Sequence, residues 1–263
     1  MVSPLIEPPT RIALGLEYDG RPFCGWQTQT AGCGVQDALE TALAVVHGAP
    51  VATICAGRTD AGVHARAQVV HFDTVNARPE SAWVRGVNAF LPSGVAVLWA
   101  QAMPSDFSAR FSAIEREYHY RLLVRRSRPA LLAGQVGWVH GRLDVALMQA
   151  AAQCLIGTHD FSAFRSVDCQ APSPVREMRF VGIEANGEFV DFTFRANAFL
   201  HHQIRNLVGA LVWIGQGRRP TAWLAEVLAS RDRAQAAATF APDGLYLTAV
   251  RYDPRFTLPS SER

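Results

Sequence analysis

The changing period of apolar residues over positions 11–100 limits the fold more than any other feature. Residues Arg11 to Tyr18 alternate apolar and polar, the pattern of a strand. Val35, Leu39, Ala42, Leu43 and Val46 then fall on one helical face, and Gly48 supplies a stop. Two short apolar runs follow, Val51 to Cys55 and Gln68 to Phe72, both reading as strands. Pro79 opens a second helical pattern with Trp83, Val84, Val87, Phe90 and Leu91, which Pro92 ends. Val95 to Ala100 reads as a closing strand. The order β-α-β-β-α-β is the ferredoxin-like arrangement also used by RNA-recognition modules.

The second half repeats that order. Glu115 to Val124 reads as a strand. Asp144 caps a helix expected to run through Ile156, with Gly157 beyond its end. Strands Arg179 to Ala185 and Glu188 to Arg195 flank Asn186-Gly187, a hairpin turn signal. Asn197 is expected to cap a helix from about Ala198 to Ile214, a shorter helix follows Thr221, and Leu245 to Tyr252 ends the series as a strand. The expected fold is α+β, with two such halves, residues 1–104 and 105–263. Residues Pro104 to Ala113 lack periodicity and read as the linker, and the polar tail from Pro254 to Arg263 is expected to fray.

The two central hairpins differ. The second has a two-residue turn, whereas the first carries Gly57-Arg58-Thr59-Asp60-Ala61-Gly62-Val63-His64-Ala65 between its strands. Two to five residues normally suffice there, so this loop is longer than the fold needs. Long loops on rigid scaffolds concentrate binding and catalysis. Arg58 near Asp60 favours an ionised carboxylate, the form a nucleophile or base needs. The competing reading is an ordinary turn aspartate bonded to its own backbone.

Composition removes some chemistry. All 25 basic residues are arginine, so no Schiff-base or P-loop lysine is available. Codon usage accounts for the bias as a whole, while arginine also suits phosphates and stacks on bases. No apolar run is long enough to span a bilayer, and Met1 to Glu7 lacks the features of a signal peptide. Five scattered cysteines without a Cys-x-x-Cys argue for a reducing cytoplasm, against disulfides and against structural zinc.

Two further segments carry candidate groups. On the strand from Glu115 to Val124, alternation puts Arg116, Tyr118, Tyr120, Leu122 and Val124 on one face. Tyr118 at the polar end either stacks on a base or packs in the core. The arginines Arg125, Arg126 and Arg128 form a solvated face or a phosphate-binding rim. On the helix expected from Ala198, His201, His202 and Arg205 lie near one another, although neighbours on a helix point about 100° apart. Arg205 is positioned for a carboxylate or a phosphate, and no acid stands at helical spacing to pair with it. A metal site of Asp60, His64 and His71 is conceivable, but nothing in the spacing fixes them on one face, and a metal-dependent hydrolase would instead draw on Asp60, His64 and His201 or His202.

Together these segments resemble the tRNA pseudouridine synthase A family. The match is carried by Ala56 to Ala65 and, in order, by Phe23-Cys24-Gly25-Trp26-Gln27, Arg116-Glu117-Tyr118-His119-Tyr120, Gly157-Thr158-His159-Asp160-Phe161, Phe199-Leu200-His201-His202-Gln203-Ile204-Arg205-Asn206 and Ala241-Pro242-Asp243-Gly244-Leu245. Gln203 stands where the family more often has an apolar residue, Gly34 where threonine is common, and lysines of the family's basic rim are missing. The resemblance implies the pseudouridine synthase fold, in which the two halves share one antiparallel sheet around a basic cleft, and isomerisation of uridine to pseudouridine at positions 38–40 of tRNA. It implies no cofactor, no metal and a homodimer. It casts Asp60 as nucleophile or base, Arg58 as the group that enters the vacated space or holds the flipped nucleotide, and Arg205 as the partner of Asp60. Tyr118 would pack on the base and help remove the C5 proton, Leu245 would wall the pocket, and His202 and Arg116 would contact substrate. A non-catalytic RNA-binding module and a metal-dependent hydrolase are the alternatives.

Overall fold

A computed structural model describes residues 9–76 and 78–259. The reading of Met1 to Glu7 therefore lies outside the described residues, as do the last four positions of the tail. The first half contains β1 (Thr10–Tyr18), α1 (Val35–His47), β2 (Ile54–Cys55), β3 (His64–Thr74), α2 (Glu80–Asn88) and β4 (Val95–Met103). The second contains β5 (Ala113–Val124), β6 (Gly137–Val139), α3 (Val145–Ala152), β7 (Gly157–Asp160), β8 (Val175–Asn186), β9 (Phe189–Ala196), α4 (Gln203–Gly215), α5 (Trp223–Ser230) and β10 (Leu245–Tyr252).

The strands form one sheet in the order β4-β1-β3-β10-β5-β9-β8-β7, with β2 beside β3 and β6 beside β5. The expected antiparallel sheet needs one correction at its seam. β10 inserts between the halves, antiparallel to β5 and parallel to β3, pairing Tyr246 with His64 and Leu247 with Ala65. β5 and β6 also pair in parallel. Because β3 starts at the seam, the loop carrying Asp60 leads directly into the junction between the halves.

Period-two alternation gives β1 two buried faces. Leu14 and Leu16 join Leu39, Leu43, Phe72, Trp83 and Val87 in the main core, which runs on through Tyr120, Phe192, Leu207 and Leu211 of the second half. Ala13 faces the other way and packs with Val69, Met103, Phe107 and Phe256. That second cluster holds both the linker and the tail, and corrects the fraying expected of the tail at Phe256. The linker is anchored, with Phe107 fully buried. The tail is likewise pinned at Phe256, whose ring meets Phe107 edge-on at 5.2 Å. Isolated apolar residues without periodicity gave no signal of this packing.

The cysteine expectation also fails in one place. Cys24 and Cys33 are joined in a disulfide, with Cα atoms 5.4 Å apart. The Cys24 N–H donates to the Cys33 carbonyl at 2.9 Å, so backbone pairing across the small loop brings the sulfurs together. Sequence spacing alone could not register that turn.

Helix boundaries shift where side chains bond locally. The expected helix to Ile156 ends as α-helix at Ala152 and continues as a 3-10 turn to Leu155. Asn197 does not cap α4. Its side-chain oxygen accepts from Glu177 N at 3.1 Å and Ala198 N at 2.8 Å, which joins the end of β9 to β8. α4 begins only at Gln203, so residues Ala198 to His202 lead into the helix rather than belonging to it.

Candidate active site

The loop from Ala56 to Val63 is fixed along its length by bonds to rigid elements. The Gln68 amide donates to the Gly57 carbonyl at 2.7 Å. Thr59 shares a hydrogen bond with the buried Tyr18 hydroxyl at 2.8 Å, and its carbonyl accepts from Trp26 N at 3.0 Å. Two glycines permit the crossing. Gly25 has φ +99° and lies so close that a Cβ would sit 2.8 Å from the Thr59 carbonyl oxygen. Gly62 has φ +77° with Pro242 against it. A loop with this many tethers presents its side chains from a defined backbone.

Asp60 stands at the centre of what is presented, with its side chain only 16% exposed. Arg205 Nη1 donates to Asp60 Oδ2 at 3.1 Å, while Arg205 Nε donates to the Phe240 carbonyl at 2.9 Å. The guanidinium is thus aimed by one bond and pairs through another, a use of its fork that lysine cannot copy. The turn-aspartate reading does not describe this side chain, which reaches across the seam to the second half.

His201 and His202 complete the ring around the carboxylate. His201 Nε2 lies 3.5 Å from Asp60 Oδ1 and His202 Nε2 lies 3.6 Å from Oδ2. Their rings are 4.0 Å apart, which corrects the expected divergence of helical neighbours. The reason is that neither residue is within α4. His202 occupies the N-cap with φ 62° and ψ 1°, a left-handed conformation unusual for a residue with a Cβ. Such strain persists only where surrounding structure enforces it, and it concentrates at functional sites. Burial lowers the His202 pKa, and His201 and Arg205 push the same way, while Asp60 and Asp168 oppose them. Its imidazole is therefore biased toward the neutral form.

The remaining candidates separate. Tyr118 is buried, and its ring meets Phe199 edge-on at 5.2 Å. Burial pushes its hydroxyl pKa far above the usual tyrosine value, so it stands in the site as a neutral phenol. Leu245 is buried at the start of β10, paired in register with Tyr120. Arg58 is exposed on the loop, and among the described residues its side chain makes no ion pair or hydrogen bond. Arg116 is not available to substrate, against expectation. It is buried, and its N–H groups donate to the carbonyls of Ala56, Arg110, Ala113 and Asn197 at 2.7–3.3 Å. It acts as a tie between the loop, the linker and the end of β9.

His64 does not join this group, so the hydrolase set of Asp60, His64 and His201 or His202 is not assembled. His64 Nδ1 accepts from Gly20 N at 3.2 Å and its Nε2 lies 2.9 Å from the Gly134 carbonyl, the arrangement of a neutral ring bridging two loops. Asp60, His201 and His202 do bring three donor atoms within 4.8 Å of one another. A cation placed among them would face the Arg205 guanidinium already bonded to Asp60, so the set does not fit a resident metal. Sequence reasoning set His201 beside Asp60 only in the hydrolase alternative and gave it no place in the isomerase site. Its only sequence signal was the His-His pair preceding a helix start that sequence put several residues too early.

A family model described as tRNA pseudouridine synthase matches residues 16–112 and 151–253. The chain is 59% identical over 254 residues to the tRNA pseudouridine synthase A of Thiobacillus denitrificans, covering 96% of this chain and 98% of that protein. It is 58% identical over 252 residues to the tRNA pseudouridine synthase A of Paraburkholderia xenovorans, covering 96% and 93%.

Proposed function

We propose, on the premise those matches establish (the chain belongs to the tRNA pseudouridine synthase family), that this protein is an isomerase converting uridine to pseudouridine in tRNA. The finer reading is that it acts at positions 38–40 of the anticodon stem-loop. The observation that carries the isomerase reading is the Asp60 carboxylate, paired with Arg205 at the seam, flanked by the two histidines and close enough to Tyr118 for its charge to act on that hydroxyl.

The reaction breaks the C1′–N1 bond, turns the uracil and forms a C1′–C5 bond. C5 loses a proton and N1 gains one, so no co-reactant is consumed. The base must first leave the stack. Asp60 attacks at C6 or C1′, or removes a proton to form a glycal. Arg58, free at the loop surface, suits the space left by the flipped nucleotide or its phosphate. Tyr118 packs on the base as a neutral phenol, which is a poor proton acceptor. His202, whose imidazole is biased to the neutral form, is the better acceptor for the C5 proton.

Residues 1–104 and 105–263 form the two walls of the cleft in this reading, and the active form is a homodimer. A tRNA substrate places the protein in the cytoplasm, where the Cys24–Cys33 disulfide would be open to reduction. No helix among the described residues is long and apolar enough to cross a membrane.

The test uses tRNA transcripts that keep a single uridine at position 38, 39 or 40, incubated with a strong chelator present. Pseudouridine at those positions is expected in each case. Modification elsewhere would overturn the site assignment, and loss of turnover with chelator would contradict the metal-free mechanism.

A further inference from the structure

We propose that Arg110 and Phe111 form a stacking platform for an unpaired nucleotide of the RNA next to the one that reaches Asp60. The proposal rests on the isomerase reading above and adds to it a surface that positions the strand.

Phe111 is 79% exposed, an unfavourable setting for a benzyl side chain unless something covers it. Single exposed apolar residues are common and need no explanation alone. Three observations set this one apart. The first is its neighbour. The Arg110 guanidinium lies over the ring, 5.2 Å from its centroid, so the surface combines an aromatic face with a planar cation. That pairing matches a nucleotide, which offers a base to stack and a phosphate to neutralise.

The second is rigidity. Ser108 N donates to Ser112 Oγ at 2.9 Å, Ser112 N to the Ser108 carbonyl at 3.0 Å, and Phe111 N to Ser108 Oγ at 3.2 Å. On the flank, Ala109 N donates to His71 Nδ1 at 3.1 Å and the Ala109 carbonyl accepts from the Tyr252 hydroxyl at 2.8 Å. A turn tied at this many points shows its aromatic ring outward as a fixed feature. Stacking on a preformed surface avoids the entropy of ordering a loop.

The third is position. Arg116 Nη2 donates to both the Arg110 carbonyl, at 2.7 Å, and the Ala56 carbonyl, at 2.9 Å. One buried guanidinium thus sets the distance between this turn and the loop that carries Asp60. Arg58 and Arg110 both lie close enough to Cys55 for their charges to act on its thiol. Among the described residues neither arginine forms an ion pair, so an uncompensated cation covers the exposed ring and a second one stands within reach of the same thiol. Charge of that sign selects a nucleic acid strand over an apolar protein surface.

The test uses the full chain with Phe111→Ala and Phe111→Tyr. The probe is an anticodon stem-loop RNA with 2-aminopurine one nucleotide to either side of the target uridine. Wild type and Phe111→Tyr are expected to quench the probe on one side and to share one KM. Phe111→Ala is expected to lose that quench and raise KM about tenfold, with kcat within about threefold, the scale of one base–aromatic stack. Unchanged KM and unchanged quenching in Phe111→Ala would overturn the platform. So would a Phe111→Ala protein that sediments at a lower mass than wild type, since the ring would then be covered by a second copy of the chain. A wild-type protein that makes no pseudouridine would instead sink the parent reading, and the two failures are separate measurements.

Discussion

The Asp60 carboxylate and the Arg205 guanidinium are 145 positions apart in the chain and 3.1 Å apart in space. The first comes from a loop entering β3, the second from the first turn of α4, and the β3–β10–β5 seam brings them together. Arg205 is held by the Phe240 carbonyl as well, so both ends of the pair are fixed before substrate arrives.

Replacing Arg205 should therefore cost turnover more than binding. Leaving a partly buried carboxylate without its partner typically costs about 3–5 kcal/mol. Arg205→Ala is expected to lower kcat by about 10²-fold or more. Arg205→Lys should recover little, because one ammonium cannot reach both Phe240 and Asp60. Steady-state kinetics on tRNA, with RNA affinity measured separately, would show this, and a kcat within threefold of wild type for the alanine variant would remove Arg205 from the site.

His202→Gln should expose the proton-transfer step. If His202 accepts the C5 proton, slowing that step makes it limiting. A tRNA deuterated at C5 of the target uridine should then show a primary isotope effect larger than in wild type. Loss of rate with an unchanged isotope effect would point to a purely structural role for the ring.

The buried histidines set a pH limit on stability. Burial lowers the pKa of His64, His71 and His202 below the usual 6.5. Their neutral rings carry structural bonds, as where His71 Nδ1 accepts from Ala109 N at 3.1 Å. The unfolded chain thus takes up protons first as pH falls below about 6.5, and stability drops through that window. Above it these groups contribute no slope. Tm measured from pH 8 to 5 should be flat at first and then fall, whereas a Tm that rises toward pH 5 would contradict the assignment.

Phe107 is expected to be a principal anchor of the crossing between halves. It is fully buried among Ala13, Val69, Met103 and Phe256. Phe107→Ala should destabilise the protein by about 3–5 kcal/mol. Urea unfolding would measure it, and a loss under about 1 kcal/mol would return the segment to the status of a loose linker.

Much of this was legible because period and punctuation are local signals. The alternation from Arg11 to Tyr18 and the Gly48 stop correspond to β1 and to the end of α1, where Gly48 is left-handed. Asp60 stood out because its loop exceeds what the hairpin needs. What sequence could not show depends on contacts between distant segments. The start of α4 moved to Gln203 because Asn197 bonds across to β8 instead of capping the helix. That shift turned His201 and His202 toward Asp60. Arg116 reads in sequence as a substrate contact, and only the fold shows its N–H groups committed to four carbonyls. The Cys24–Cys33 pairing depends on a loop closure that composition does not encode.

The most direct test of the central claim is tritium release from tRNA labelled at uracil C5, comparing wild type with Asp60→Asn. The carboxamide keeps the shape and loses the charge that faces Arg205. Release by wild type and none above background by Asp60→Asn, with tRNA affinity held within a few-fold, is the expected result. Release by Asp60→Asn at a rate close to wild type would contradict a catalytic role for this carboxylate.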